Sequence, residues 1–516
     1  MQASELAASL TRSRLVVPGA GTGITGITND SRRVTPGALY AALRGLHVDG
    51  HSFIHQAVEA GATAVVCEEL PPDPTPGVAW FVAPDARRAL SELSDRYYGR
   101  PSQSLFVVGV TGTDGKTSTV SFIHQLLNEL TGRSAYLSSA GMQTGAHEEP
   151  NRLHQSTPEA PEVHRVLRRM LDEGARYAVL ESTSHGLSHK TCRLVDVRYR
   201  AAVFTNLSHE HLEFHGTFER YRDDKANLFR ALDESDERAG TGEPARDEPP
   251  EPFGVVNRDD PHAAYFEAAT GRPVVGYATA SAADYRARDL ALETVGTQFT
   301  LVTPRGSVPC RLPVPGGFNV LNALAAAATV QRITGCGDEA LAQAIGRLRP
   351  VRGRMHVMQE SPFSVVVDFA HTPGSFENVL PFFREKCAGR LIVVFGSAGE
   401  RDPAKRPLQG AIADRYADLI VLADEDPRGE DRMQILRDIA AGCPGRSEGG
   451  DLLLVPDRRT AVREALGAAR PGDTVLLLGK GHETSIIGAT GAEPWDEATV
   501  AAEELATLGH EPTRRG

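Results

Sequence analysis

The stretch Gly109-Val-Thr-Gly-Thr-Asp-Gly-Lys116-Thr117 constrains this chain more than any other. It lies between the apolar run LFVVGV (105–110) and a segment in which Val120, Ile123, Leu126, Leu127 and Leu130 recur at helical spacing. Strand, glycine-rich turn and helix in that order form the context of a phosphate-binding loop. Glycines let backbone N–H groups turn inward on phosphate oxygens, and the helix N-terminus adds partial positive charge. In such a loop Lys116 reaches the β/γ-phosphates of ATP or GTP and Thr117 ligates Mg²⁺. A strand–helix turn that binds nothing is the alternative, and Gly-Lys-Thr at the helix start argues against it.

The rest of the chain is organised around similar units. At 516 residues it is too long for one core, so two to four domains are expected. Residues 1–101 form a mixed segment ending near Gly99-Arg100-Pro101. Residues 102–350 carry the phosphate loop, further strand candidates at 177–182, 201–205 and 253–256, and an Ala-rich run from Asn322 to Thr334 that predicts a buried helix. From 351 to 516 a second series follows, with strands expected at 363–370, 391–396, 418–424, 451–455 and 473–479. Short, nearly continuous apolar runs separated by helices predict parallel sheets covered on both faces, hence an α/β fold. The stretch 234–252 holds seven Asp/Glu, two Arg and four prolines, a composition expected of a mobile loop.

Composition excludes several classes. The net charge of −12 argues against a general nucleic-acid binder, leaving room for a local basic pocket for an anionic small molecule. Six scattered cysteines without CxxC spacing suggest reduced thiols, not a disulfide framework. No run approaches the length of a membrane span, and the start lacks the apolar core of a signal peptide. A cytoplasmic protein is expected, with neither nucleic acid nor membrane as partner.

Glu181 ends the apolar strand YAVLE, where α/β folds place ligand chemistry. Downstream, His209, Glu210, His211 and His215 cluster within TNLSHEHLEFHGT (205–217). Zinc is one reading of so many imidazoles, but no cysteine joins them and the spacing fits neither HExxH nor a finger. Lys225, read alone, is an exposed helix lysine.

Taken together, these segments resemble the Mur ligases of peptidoglycan synthesis, in particular their MurE-type branch, the UDP-N-acetylmuramoyl-tripeptide synthetases. The resemblance is carried by GTDGKTS (112–118), QSTPEA (155–160), ESTSHGL (181–187), TNLSHEHLEFHGT (205–217) and Lys225. It continues in NVLNALAA (319–326), GRM (353–355), DFAHTPGSFENVL (368–380), GERDPAKRP (399–407), EDPRGED (425–431) and GKGHE (479–483), in family order over nearly the whole chain. It implies a UDP-sugar-binding domain (1–101), a central phosphate-loop ATPase domain (102–350) and a C-terminal Rossmann-like domain that binds the amino acid (351–516).

The resemblance also implies roles. ATP would be held by Gly112, Thr113, Asp114, Gly115, Lys116, Thr117, Ser118, Asn322, Arg354, Asp368 and His371. Glu181 and His211 look like Mg²⁺ ligands beside Thr117, and Lys225 sits where the family has a carbamylated lysine, so Lys116, His211 and Lys225 would be catalytic. A carbamate is an anionic oxygen ligand suited to a hard cation, whereas an ammonium would be repelled. Ser31, Leu46, His47, Ser156, Thr157, Thr183 and Arg193 look like UDP-sugar contacts. Arg401, Glu425, Asp426, Pro427, Arg428, Gly479 and Glu483 occupy the amino-acid pocket.

The implied reaction is ATP-dependent amide formation through an acyl phosphate on UDP-MurNAc-L-Ala-D-Glu, a step of cell-wall precursor synthesis, by a chain expected to act as a monomer. The chain departs from the family pattern at several points. Asp114 replaces the Asn of GTNGKT, Ser156 the first Thr of TTP, and Glu210 and Glu213 the usual Asp residues, while two extra residues lie between His185 and Arg193. In the pocket the turn reads Glu-Asp-Pro-Arg where enzymes adding meso-diaminopimelate usually have Asp-Asn-Pro-Arg. Arg428 suits a distal carboxylate, whereas Asp426 would suit the ammonium of lysine or ornithine. Diaminopimelate is preferred, because Arg428 facing a lysine chain would lack a partner. The alternatives are a folylpolyglutamate- or cyanophycin-type ligase, or a nucleotide-binding module without catalysis.

Overall fold

A computed structural model describes residues 1–8, 10–19, 23–45, 48–149, 151, 155–208, 210, 212–234, 250–293 and 296–510. Leu46 and His47 of the expected UDP site, His209 and His211 of the histidine cluster, and residues 235–249 of the acidic stretch lie outside the described residues. The chain divides into two compact units. The first comprises Met1–Lys116, Ile123–Gly276 and Arg332–Gly335, and the second Thr117–Phe122, Tyr277–Gln331 and Cys336–Gly516.

The first unit contains two sheets. The N-terminal one has five strands in the spatial order Arg14–Pro18, Ala79–Val82, Ala64–Cys67, Ala38–Ala41, Gly26–Thr28, antiparallel only at the first pair. Every residue of Ala38–Ala41 and Ala64–Cys67 is buried, because one core packs on each face. In the larger sheet Phe253–Asn257, Ala201–Phe204, Phe106–Thr111, Tyr177–Glu181 and Ser134–Leu137 run parallel in that order. Phe106–Thr111 is buried along its length, and Gly109 sets how closely a helix packs on it. A Cβ at Gly109 would stand 2.5 Å from Leu228 Cδ1 and 2.7 Å from Tyr199 Cε1. We expect Gly109→Val to cost about 1–3 kcal/mol by overpacking. A thermal unfolding midpoint equal to that of the parent would contradict this packing.

The second unit pairs an antiparallel ladder with a parallel sheet. Tyr285–Glu293, Gly296–Thr303 and Gly306–Leu312 form the ladder, followed by the helix Gly317–Thr334. That helix starts five residues before the predicted Asn322 and is buried through most of its length. Its first turn, Gly317-Phe-Asn-Val-Leu, is masked in sequence by a glycine and an asparagine, both weak helix formers. The six-stranded sheet runs His356–Gln359, Ser364–Asp368, Thr474–Leu478, Leu391–Phe395, Leu419–Leu422, Leu452–Leu454, antiparallel only at its first pair. Apolar cores cover both of its faces, so its central strands have no polar side. The strands predicted from apolar runs are all present; most are trimmed by one to three residues, Phe106–Thr111 is shifted by one, and Phe253–Asn257 extends one residue further. Among the described residues no helix is long and apolar enough to cross a membrane.

Candidate active site

The phosphate loop leaves the C-terminal end of Phe106–Thr111, and the helix Lys116–Thr131 follows it. Gly115 caps that helix in the left-handed region at φ 81° and offers no side-chain cap, so the first N–H groups point out of the turn. Gly112, at φ 148°, passes so close to Thr205 that a Cβ would fall 1.9 Å from its Oγ1. The loop is braced by the segment Thr205–Ser208. Asn206 Oδ1 accepts from the Asp114 N–H at 2.9 Å, and Thr205 Oγ1 and Asn206 Nδ2 donate to the Asp114 carbonyl at 2.7 and 3.1 Å. Thr113 N–H donates to the Asn206 carbonyl at 2.8 Å, and Thr113 Oγ1 lies 3.0 Å from the Tyr221 hydroxyl. Lys116 folds over this loop, donating to the carbonyls of Gly112 at 3.1 Å and Thr113 at 2.6 Å.

Of the other predicted groups, Lys225 meets the loop and Glu181 ends a strand paired with the one that leads into it. Lys225, on the helix Phe218–Asp233, is 2% exposed and donates to the Gly112 carbonyl at 2.5 Å. Burial first, and the neighbouring Lys116 second, hold its ammonium well below the usual lysine range, opposed by Glu210, Asp114 and Glu181. It is therefore not the exposed helix lysine that sequence alone favours. Asp114 acts on both Lys225 and Tyr221 by its charge. Glu181 closes its strand, is 4% exposed, and accepts from Ser139 N–H at 2.8 Å and Ser139 Oγ at 3.1 Å.

The histidine cluster resolves differently from a metal site at its described member. His215 is fully buried, with Nδ1 2.8 Å from Asp224 Oδ2 and Nε2 3.0 Å from Ser184 Oγ. Both ring nitrogens are committed to protein partners, which removes His215 from the zinc reading. Among the described residues no group of three metal-ligating side chains is found.

Three of the expected UDP-sugar contacts adjoin Glu181. Thr157 Oγ1 donates to the Glu181 carbonyl at 2.9 Å, and Thr183 Oγ1 donates to Thr157 Oγ1 at 3.0 Å. The Arg193 guanidinium reaches the Thr157 carbonyl at 2.9 Å and Glu159 Oε1 at 2.6 Å. Ser156 precedes this group, half-buried, and Ser31 opens the short helix Ser31–Arg33 beside the N-terminal sheet.

In the second unit Thr117 and Ser118 are buried, and Asn322 accepts from Thr119 Oγ1 at 3.2 Å while donating to Asn319 Oδ1 at 3.1 Å. Arg354 lies over the Phe369 ring at 4.2 Å. Asp368 accepts the Met355 and Ala370 N–H groups, each at 2.7 Å; burial pushes its carboxyl up against the pull of Arg354. His371 Nδ1 lies 2.8 Å from the Phe369 carbonyl.

The predicted amino-acid pocket gathers at strand ends of the same unit. Glu425, Asp426 and Pro427 are buried, Arg428 is half-buried with its backbone at φ 54°, and Arg401 is exposed. Gly479, at φ 100°, lies against Glu425, with Oε2 3.3 Å from where a Cβ would be. Lys480 is fully buried and donates to Asp426 Oδ1 at 2.8 Å and Glu483 Oε2 at 2.5 Å. Arg428 Nε and Glu425 Oε2 are buried with no hydrogen-bond partner among the described residues. Arg458, also fully buried, forks onto Glu497 and donates to the Asp424 and Leu478 carbonyls, tying the strand ends together. Sequence reasoning singled out neither Lys480 nor Arg458. The first stood inside the matched GKGHE, and the second had no local signal.

Comparison with known proteins completes the assignment. Three family profiles match in order: "Mur ligase family, catalytic domain" at residues 23–98, "Mur ligase middle domain" at 110–330 and "Mur ligase, glutamate ligase domain" at 353–481. The chain is 46% identical to the UDP-N-acetylmuramyl-tripeptide synthetase of Roseiflexus sp. (strain RS-1), over 94% of this chain and 95% of that protein. It is 38% identical to the UDP-N-acetylmuramoyl-L-alanyl-D-glutamate--2,6-diaminopimelate ligase of Geobacillus kaustophilus, over 94% and 95% of the two chains. A solved structure of a 2,6-diaminopimelate ligase of that kind superposes with a TM-score of 0.63 at 30% identity, covering 94% of this chain and 95% of the other. The α/β fold expected from the sequence is thereby borne out, and the chain belongs to the Mur ligase family.

Proposed function

We propose that this chain is an ATP-dependent ligase that adds the third residue, meso-diaminopimelate, to UDP-MurNAc-L-Ala-D-Glu. The observation that carries the reading is the convergence of Lys116 and Lys225 on the Gly112 carbonyl, with the Glu181 charge acting on Lys225. A glutamyl carboxylate oxygen attacks the γ-phosphorus of ATP; the bond to the β-phosphate oxygen breaks, giving an acyl phosphate and ADP. The incoming amine, arriving uncharged, attacks the acyl carbon; phosphate departs from the tetrahedral intermediate and the amine gives up a proton to solvent. Lys116 and the loop N–H groups balance charge on the transferring group, so the protein contributes mainly positioning and electrostatics.

The donor set fits a magnesium ion. Glu181 is a buried carboxylate, and Lys225 is a lysine whose burial favours the neutral amine. That amine can attack CO₂, forming an N–C bond and releasing a proton to water, which turns Lys225 into an anionic oxygen donor. Glu181, carbamylated Lys225 and His211 would hold the ion, whose charge offsets that of the phosphates. The substrates of this reading belong to the cytoplasm, and one chain suffices for the chemistry.

Two features favour diaminopimelate over lysine or ornithine. Asp426, which would suit a distal ammonium, already accepts from Lys480 and from the Ile487 N–H at 3.0 Å. Arg428, by contrast, carries a buried Nε with no acceptor among the described residues, as a distal carboxylate would require. ADP release with UDP-MurNAc-L-Ala-D-Glu and a panel of diaminopimelate, lysine and ornithine tests the whole reading. Exclusive use of lysine would refute the choice of amino acid, and no ADP with any of them would refute the ligase. Arg428→Ala is expected to cost roughly 100-fold in kcat/KM for diaminopimelate, while changing that for lysine little.

A further inference from the structure

His215 belongs to none of the groups assigned so far, yet it is wholly buried beside them and joins two of their carriers. On one side it meets Ser184, three residues after Glu181 and the first residue of the short helix Ser184–Leu187. On the other it meets Asp224, the residue before Lys225 on the helix Phe218–Asp233. The carboxylate of Asp224 can only accept, so Nδ1 carries a proton, while the Ser184 hydroxyl, able to donate or accept, pairs with Nε2. Serine, histidine and aspartate in this order resemble a nucleophilic triad. Ser184 is 1% exposed, however, and His215 is 0% exposed, so no substrate atom reaches the hydroxyl. The same bonds instead make a strut between the segment that carries Glu181 and the helix that carries Lys225.

We propose that His215 is a positioning residue for the ligase reaction, holding the Glu181 segment and the Lys225 helix in register against the phosphate loop. This rests on the function proposed above. The Lys225 amine meets the Gly112 carbonyl at 2.5 Å, a contact that a small axial slip of its helix would break. Asp224 has His215 as its side-chain partner, so the strut restrains that slip one residue from Lys225. Groups that orient a metal-binding side chain commonly contribute 10- to 100-fold to its function.

The test uses the full-length protein with His215→Gln, His215→Asn and Asp224→Asn variants. Each is measured for kcat, for KM of ATP and of UDP-MurNAc-L-Ala-D-Glu, and for thermal midpoint. The Lys225 carbamate is followed by ¹³C NMR after equilibration with labelled bicarbonate, without nucleotide. His215→Gln and Asp224→Asn should lower kcat on the order of 10- to 100-fold, with both KM values within about threefold and the carbamate signal reduced. His215→Asn, whose amide can still donate to Asp224 from near the Nδ1 position, should recover much of both. Folded variants with the parent's kcat and carbamate signal would overturn the proposal. So would equal losses in Gln and Asn variants that track the thermal midpoint while the carbamate stays intact. Should the His215 variants fail to fold, Asp224→Asn, at a less buried site, decides alone by the same criteria. Lys225→Ala is run alongside: full turnover in that variant would overturn the ligase reading, and this proposal with it. A dead Lys225→Ala beside fully active His215 and Asp224 variants would overturn the positioning role alone.

Discussion

Lys116→Ala is expected to abolish ADP release that depends on the UDP-sugar substrate, lowering kcat on the order of 10³-fold or more. The expectation follows from where the amine sits. Its contacts with the Gly112 and Thr113 carbonyls hold it above the loop, where β/γ-phosphate oxygens would arrive. Charge is developing on those oxygens as the γ-phosphoryl leaves, and a fixed ammonium there needs no reorganisation. A 10³-fold loss corresponds to about 4 kcal/mol of transition-state stabilisation. The fold should survive, because Lys116 is only half-buried at the first position of its helix and alanine is a good helix former. Lys116→Arg should rescue little, since a planar guanidinium cannot occupy the space of a point charge inside the turn. Turnover near the parent's rate in a coupled ADP assay would remove Lys116 from phosphoryl transfer.

The residues of the loop were legible in the sequence because the motif is local: strand, glycines, lysine and helix follow one another without a break. The parallel strands were legible for the same reason, since burial on both faces leaves near-continuous runs such as LIVVF and TVLLL. The ladder at 285–312 was not, because its strands bury alternate residues. Phe299, Leu301 and Thr303 point inward while Gln298, Thr300 and Val302 are more exposed, and such a pattern shows no apolar run. Strands of the N-terminal sheet escaped through brevity, the shortest being Gly26–Thr28.

The site divides along the same line. Glu181 announces itself by ending an apolar strand, whereas Ser139, which fixes its carboxylate, lies 42 residues away and has no motif. Asn206 stood inside a matched segment, but its bracket around Asp114 depends on two loops meeting at the C-terminal ends of neighbouring strands. That bracket holds the Asp114 backbone at both its N–H and its carbonyl, where the family has asparagine. Lys480 and Asp426 make the same point for the pocket. Read singly, Asp426 is a spare negative charge facing the substrate; read together, it is the partner of a buried ammonium.

Lys225 is where the local and the distant readings differ most, and its replacement should have the second large effect. Lys225→Met, which keeps much of the buried volume, is expected to lower kcat by roughly 10²- to 10³-fold. That loss alone would not say what Lys225 contributes, because a neutral amine, an ammonium and a carbamate would all vanish together. Carbon dioxide separates them. A carbamate forms reversibly from the uncharged amine, and burial beside Lys116 favours that uncharged form. The parent in CO₂-stripped buffer should therefore lose activity, recover it on adding bicarbonate, and recover it with a lag set by carbamate formation. Lys225→Met should show no response to either treatment. An ammonium role predicts the opposite, since stripping CO₂ would leave more free lysine and activity would hold or rise. A parent enzyme indifferent to CO₂, with Lys225→Met still inactive, would thus refute the carbamate while keeping the lysine, and Glu181 would then lack its second anionic partner.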